Sequence, residues 1–187
     1  MYAGKNPSAL QSQEWITGAL LALMHEKDFS SISVREICER ADLSRQTYYN
    51  LYSSKEDILR THIRRQVRRV LNGLEEPMRL RAIGLGDMTA AFTEVIFTNR
   101  DDLSLMAQHG LEPLISSEIT EAVAATAQRF PQKDTAEGAL EKEYAIAFLS
   151  GGLAQALLLW LRGGEPADRD TLDRILGKAV QGALYSF

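Results

Sequence analysis

Two short helical segments joined by a three-residue turn constrain the fold of this chain more than any other feature. Ser33 precedes the first segment, "VREICER", and Glu36 stands three residues later, which is the spacing of a capping box. Ser44 precedes the second segment, which runs to about Leu51, and "ADL" joins the two. A pair of helices separated by such a turn is a helix-turn-helix candidate.

Helical periodicity continues through the rest of the chain, and no convincing strand alternation interrupts it. The pattern predicts a long first helix, a connecting helix over about 54–74 and five further helices, the last two being long. We therefore expect an all-α fold of about nine helices. A three-helix helix-turn-helix head spans 1–60, followed by the connecting helix, and a C-terminal helical dimerisation and ligand domain spans 75–187.

The charge of the chain is divided unevenly between these two parts. The net charge is -4, but residues 1–70 carry 11 Lys+Arg against 8 Asp+Glu, whereas the remainder carries 10 against 17. A mildly basic head on an acidic body is typical of a nucleic-acid reader with a separate second domain. The run "RRQVRR", 64–69, either extends the basic patch or pairs with the acidic body; we favour a solvated or paired face, since the helix leads away from the head.

Cysteine content and hydrophobicity indicate a cytoplasmic protein. Cys38 is the only cysteine, which excludes an intrachain disulfide and fits a reducing compartment. The first ten residues lack the features of a signal peptide. The segment 145–161 is uncharged over 17 residues, yet a helix of that length is too short for a ~30 Å hydrocarbon core. We therefore expect a buried helix and no membrane contact.

The last two predicted helices carry more apolar surface than a small helical domain can bury. In the final helix, Leu172, Leu176 and Val180 belong to a stripe that repeats every three and four residues. Glycine and alanine in both helices allow close approach of backbones. The pattern predicts a homodimer through these two helices; filling of a monomer core is the alternative.

The second short helix combines side chains that suit a DNA surface better than a core. Arg45 and Gln46 can pair bidentately with guanine and adenine. Short hydroxyls precede and follow them, and Tyr49 can place its ring on a thymine methyl or sugar. Tyr48 is expected to pack inward. The predicted DNA-binding residues are Ser33, Ser44, Arg45, Gln46, Thr47, Tyr49 and Lys55.

The stretch "ISVREICERADLSRQTYYNLYSSKEDIL" resembles the DNA-binding domain of the tetracycline-repressor-like (TetR) transcription regulators, over roughly residues 10 to 60. The matches lie at the start of the first short helix, in the turn between the two short helices and in the Thr-aromatic-Tyr triplet of the second short helix. The aromatic-x-x-Lys-Glu pattern that follows the second helix also matches. The resemblance implies that Ser33, Ser44, Thr47, Tyr49 and Lys55 hold phosphates while Arg45 and Gln46 read bases. The segment 144–176 is similar to the end of a TetR subgroup that includes regulators of dihydroxyacetone kinase operons.

Two positions depart from the family pattern within this domain. Asp42 replaces the usual turn glycine, and Cys38 stands where alanine is usual. Aspartate adopts the left-handed backbone conformation more readily than most residues, so the turn is expected to survive.

Aromatic and polar side chains in the C-terminal part are compatible with an effector pocket. The resemblance favours a small molecule between helices, and the candidate ligand-binding residues are Phe92, Met106, His109, Tyr144 and Phe148. An ordinary helical core is the alternative. His109 and Glu112 have a spacing that metal sites use, but no further His or Cys cluster completes a site, so we expect neither metal nor cofactor.

These patterns predict a DNA-binding transcriptional regulator and no enzyme, because no catalytic cluster is evident. The expected partners are a double-stranded, pseudo-palindromic operator, a second copy of the chain and an unidentified small-molecule effector. The expected activity is repression, and the expected location is the cytoplasm, in association with the nucleoid. A co-activator or adaptor of the same fold that acts through a partner protein is the alternative.

Overall fold

The computed structural model describes residues 7–78, 85–127, 136–163 and 167–185 and divides into two compact units. The first unit, here called the head, comprises Met1–Ile63 together with Gln108–Gly110. The second unit, the body, comprises Arg64–Ala107 and Leu111–Phe187. The grouping of 108–110 with the head was not foreseen from the sequence.

Within the described ranges the regular structure consists of nine α-helices and one short 3₁₀ turn, without strands, which confirms the all-α prediction. Helix α4 continues past the predicted end at residue 74, because a single helical glycine costs only about 1 kcal/mol. The helices are α1 Pro7–Met24, α2 Val34–Ala41, α3 Arg45–Leu51, α4 Lys55–Met78, α5 Leu85–Thr98, α6 Arg100–Gln108, α7 Glu112–Ala127, α8 Ala136–Arg162 and α9 Arg169–Tyr185; the 3₁₀ turn is Phe29–Ser31.

The head is built from α1, α2, α3 and the first part of α4 around one apolar core. Its helices begin where the sequence predicts: Ser33 forms a complete capping box, Ser44 accepts from the Thr47 N–H at 3.0 Å, and Ser54 accepts from the Asp57 N–H at 3.1 Å. Each large apolar side chain removed from water contributes about 1.5–3 kcal/mol. The side chains with no exposed surface in this core are Ile16, Leu20, Ile37, Tyr48, Ile58 and Leu59.

In the body, α5 packs against α9 and α7 packs against α8. Arg64, the first body residue of α4, donates from Nε to Glu118 at 2.6 Å and from Nη2 to Glu121 at 2.7 Å, both on α7. The side chain of Glu118 is fully buried, so this pair holds α4 to α7 at a place where an unpaired charge would cost several kcal/mol. For Arg64, this confirms the prediction that the basic run 64–69 pairs with acidic residues of the body.

Helix α8 is long and apolar enough to cross a membrane, and it is the one helix in the described ranges that meets this test. The most apolar 18-residue window within Glu137–Arg162 has a mean hydropathy of 1.7, and only 33% of that window is buried in the single chain. Core helices of soluble proteins meet the same test, and α8 packs against α7 in the body. Much of its apolar surface nevertheless remains exposed.

The turn between α2 and α3 depends on an unusual backbone conformation at Asp42. This residue has φ 52° and ψ 45°, the left-handed conformation that favours glycine. The Leu43 N–H donates to the Cys38 carbonyl at 3.0 Å, which closes a Schellman-type helix end around it. Asp42 therefore adopts the left-handed conformation predicted for this turn.

Replacing Asp42 tests this conformation. We expect Asp42→Ala to lower the free energy of unfolding by about 1 kcal/mol, because alanine tolerates the left-handed region poorly. Asp42→Gly, the matched control, should be at least as stable as the unaltered protein. Chemical denaturation measures both values; equal stabilities for the two variants would contradict the assignment.

Candidate nucleic-acid interface

Helix α3 presents one face to solvent and buries the other in the head. Arg45, Gln46 and Tyr49 are exposed, with 60% of the Tyr49 surface accessible. On the opposite face, Tyr48 is fully buried, and its ring meets that of Tyr49 edge-on at 5.2 Å between centroids. The buried Tyr48 hydroxyl has no hydrogen-bond partner among the described residues, so its ring contacts anchor the helix.

The short hydroxyl side chains predicted to contact phosphates are engaged in helix caps. The Oγ atoms of Ser44 and Thr47 lie 2.9 Å apart in a mutual hydrogen bond, which uses one of their two hydroxyl protons and leaves the other available. The Ser33 hydroxyl donates to Glu36 Oε2 at 2.8 Å. Ser33 and Ser44 nevertheless stay exposed, so their predicted phosphate contacts remain predictions.

Lys55, the first residue of α4, is directed at the 3₁₀ turn of the head. Its Nζ donates to the carbonyl of Phe29 at 2.7 Å and to that of Ile32 at 2.6 Å, and it lies 4.6 Å from the centre of the Phe29 ring. The same ammonium is 3.5 Å from the Ser30 carbonyl. Sequence reasoning missed this role, because the three carbonyls lie 23 to 26 residues earlier in the chain. Its predicted phosphate contact is not tested by this geometry.

An open groove of about 410 Å³ lies between α2 and the start of α3, next to the predicted reader Arg45. Arg35 lines this groove and donates from Nε to Glu39 at 2.6 Å, which orients the guanidinium along α2. Sequence reasoning did not select Arg35, since its nearness to Arg45 arises from the packing of α2 on α3. Cys38 also lines the groove; burial raises the pKa of its thiol, which lowers its reactivity.

The five candidate ligand-binding residues differ in burial and are divided between the head and the body. Met106 is fully buried in the body and Phe92 is half-buried, whereas Tyr144 and Phe148 are 70% and 65% exposed on α8. His109 belongs to the head, where both of its ring nitrogens contact backbone groups. Among the described residues, no group of three His, Cys, Asp or Glu side chains could hold a metal ion.

An ion pair in the head supports the start of α2. The Lys27 ammonium beside Glu36 lowers the pKa of that carboxyl from its usual 4.5 to about 2, and the Ser33 amide and hydroxyl add to the effect. The Ser33 N–H donates to Glu36 Oε2 at 2.9 Å. The carboxylate thus joins the segment after α1 to the cap of α2.

This arrangement defines the head as a helix-turn-helix unit of the DNA-binding class: α3 is capped, anchored by Tyr48 and exposed along a polar, cationic face. Residues 16–61 match the family of bacterial regulatory proteins described as the tetR family. No curated protein matches the chain significantly in sequence.

Solved structures of similar fold cover nearly the whole chain. The protein Lin0861 from Listeria innocua superposes with a TM-score of 0.72 at 12% identity, over 98% of this chain and 96% of that one. A TetR-family regulator from Streptomyces coelicolor gives 0.61 at 19% identity, over 96% and 98%. The dihydroxyacetone kinase operon activator DhaS gives 0.56 at 15% identity, over 94% and 97%.

The resemblance inferred from the sequence is therefore confirmed: residues 16–61 match the tetR family model, and the fold of the chain is similar to that of TetR-family regulators. That family consists of transcriptional regulators and is not a family of enzymes.

Glu36 is expected to contribute to acid sensitivity. Its folded-state pKa is depressed, so its stabilising contribution is fully present above about pH 4.5 and is lost as the pH falls through about 2. Glu36→Gln retains an acceptor for the Ser33 N–H but cannot titrate. We expect its free energy of unfolding to be lower at pH 7 and to fall less steeply between these values.

Chemical denaturation at a series of pH values from 2 to 7 would measure this difference. Lys27→Met removes the cation and should give a similarly shallower decline, because the Glu36 pKa then returns toward its usual value. Parallel pH profiles for the unaltered protein and Glu36→Gln would contradict the assignment.

Proposed function

We propose that this protein is a ligand-responsive transcriptional repressor that binds a pseudo-palindromic operator as a homodimer. The observation that carries the proposal is the division of α3 into a buried anchoring face and an exposed face with Arg45, Gln46 and Tyr49. A recognition helix needs both, since base discrimination requires long polar side chains held on a rigid support.

The exposed face supplies readers for different base edges. Arg45 can donate two hydrogen bonds to a guanine, and Gln46 can pair with an adenine, each worth about 1–3 kcal/mol of discrimination. Gln46 donates from Nε2 to Asn50 Oδ1 at 2.9 Å, which orients its amide along the helix before DNA arrives. In the same proposal Ser33, Ser44 and Thr47 contact phosphates that set the position of the helix.

The second copy of the chain is proposed to pack on the exposed row of α8, together with α9. This row consists of side chains that follow one another after four, four and eleven residues, which places them on one side of a helix. Each is at least 54% exposed: Leu140, Tyr144, Phe148 and Leu159. Gly151 and Gly152 lie between them and are also exposed, so two such helices can approach closely. Burial of this apolar row would provide the driving force for association.

A dimer of this kind would place two recognition helices on two half-sites, separated by ~34–36 Å or a multiple of that distance. A small molecule bound in the body would change DNA affinity only to the extent that it binds one arrangement of the dimer more tightly than the other. The two arrangements are the one that binds DNA and the one that does not. Phe92 and Met106 remain body candidates for contacting it. The proposed location is the cytoplasm, in association with the nucleoid.

An activator or adaptor that works through a partner protein is the second candidate. Its support is the fold likeness to an activator of a dihydroxyacetone kinase operon, which at 15% identity concerns fold alone. An adaptor does not require exposed base readers, whereas Arg45 and Gln46 are both exposed here. We therefore favour direct DNA recognition.

Selection of random duplex DNA on the purified protein, at ~150 mM salt, tests the proposal. Enrichment of an inverted repeat would support a DNA-reading dimer. Recovery of a folded dimer without any enriched sequence would contradict direct recognition and favour the partner-protein candidate, which a pull-down with the same preparation would then examine.

Arg45→Ala should weaken binding to the enriched operator by ~10–100-fold and relax the preference at one base pair, because one bidentate contact is lost. Titration of operator and single-mismatch duplexes measures both effects. Arg40→Ala is the charge-matched control, since Arg40 pairs with Glu26 on the head surface at 2.6 Å. An unchanged base preference in Arg45→Ala would show that α3 is placed wrongly on DNA.

Phe148→Arg should convert the dimer into monomers, because two guanidinium groups would be forced into the apolar contact between facing α8 helices. Sedimentation velocity at several concentrations measures the oligomeric state. Glu143→Arg, an exposed charge reversal on the same helix, is the control and should leave the dimer intact. A persistent dimer of Phe148→Arg would remove this row from the interface.

A further inference from the structure

His109 lies in the turn between α6 and α7, and the segment Gln108–Gly110 groups with the head. Its Nε2 atom is 2.8 Å from the carbonyl oxygen of Met24, and the Phe29 N–H donates to its Nδ1 at 3.3 Å. One tautomer satisfies both contacts: the proton is on Nε2, and Nδ1 is the acceptor.

The two backbone groups that His109 contacts belong to the ends of helical elements. Met24 is the last residue of α1, where carbonyls have no donor within the helix. Phe29 is the first residue of the 3₁₀ turn, where the N–H has no acceptor within the turn. The imidazole therefore bridges the segment that leaves α1 and the turn that leads to α2.

The same turn is held from another side by Lys55. Its ammonium contacts the carbonyls of Phe29 and Ile32, and Ser33, the cap of α2, follows directly. Lys55 begins α4 only four residues after α3 ends at Leu51. The 3₁₀ turn is thus bonded to the helix that follows α3 and is adjacent in sequence to the start of α2.

We propose that His109 is a positioning residue for DNA binding, which acts by holding the 3₁₀ turn and, through that turn, the helix-turn-helix pair. The proposal rests on the proposed function, since it concerns the same DNA-binding site. It also makes the DNA-binding head discontinuous in sequence: a residue from the turn after α6, 80 residues from Phe29, completes it. The effector contact expected for His109 stays a separate prediction.

Substitutions can separate the two hydrogen bonds. Asparagine retains an acceptor close to Nδ1, glutamine retains a donor close to Nε2, and alanine retains neither. Gln108→Ala changes the neighbouring exposed residue and is the matched control. Each bond is expected to affect operator affinity by ~2–10-fold, which corresponds to the usual net contribution of one hydrogen bond.

The measurements are the Kd of the full-length protein for its selected operator duplex and for a scrambled duplex, with amide hydrogen exchange at Phe29. We expect His109→Ala to weaken operator binding by ~10-fold or more while affecting the scrambled duplex less. Exchange at Phe29 should accelerate in His109→Ala and His109→Gln but not in His109→Asn. Gln108→Ala should resemble the unaltered protein in every measurement.

The outcomes distinguish this proposal from the function on which it rests. If the unaltered protein shows no preference for any duplex, the proposed function itself fails. If it prefers its operator and His109→Ala binds with the same Kd, only the role of His109 is overturned. If His109→Ala does not fold, His109→Asn and His109→Gln decide: weaker operator binding in both variants, with faster Phe29 exchange in the glutamine variant alone, supports the proposal, and operator binding equal to that of the unaltered protein overturns it.

Discussion

The bonds from the Lys55 ammonium to the carbonyls of Phe29 and Ile32 are the interaction on which the geometry of the head depends. Hydrogen bonds to a charged donor contribute about 1.5–3 kcal/mol each, more than neutral ones. They tie the first residue of α4 to the turn before α2, so both ends of the helix-turn-helix pair are secured outside the pair itself. The exposed side chains of α3 can then be used for recognition without also having to stabilise the fold.

Helix α4 contributes residues to both units. Up to Ile63 it contributes apolar side chains to the head core, and from Arg64 it belongs to the body, where the bonds to Glu118 and Glu121 hold it against α7. A buried carboxylate such as Glu118 tolerates little displacement of its partner, because an uncompensated charge in the interior is costly. One helix is therefore secured by an ammonium at its beginning and by a guanidinium nine residues later.

Two exposed surfaces differ in the chemistry they offer. The α3 surface is cationic and polar, with one exposed aromatic ring, whereas the α8 row is apolar and interrupted by glycine. The first suits a polyanion that offers hydrogen-bonding edges, and the second suits an apolar surface of similar shape. A small helical chain can carry both because they lie on separate units, each with its own core.

Spacing along the chain was enough to predict the all-α class, the capped starts of α2 and α3, the left-handed turn at Asp42 and the burial of Tyr48 beside an exposed Tyr49. These features depend on local spacing, since capping and helical faces involve residues three or four positions apart. The folded structure was needed to reveal the partners of Lys55, the position of Arg35 beside Arg45, and the backbone contacts of His109 within the head. Those contacts join residues that are distant in the chain, and no periodic pattern records which backbone group a long side chain will reach once the helices have packed.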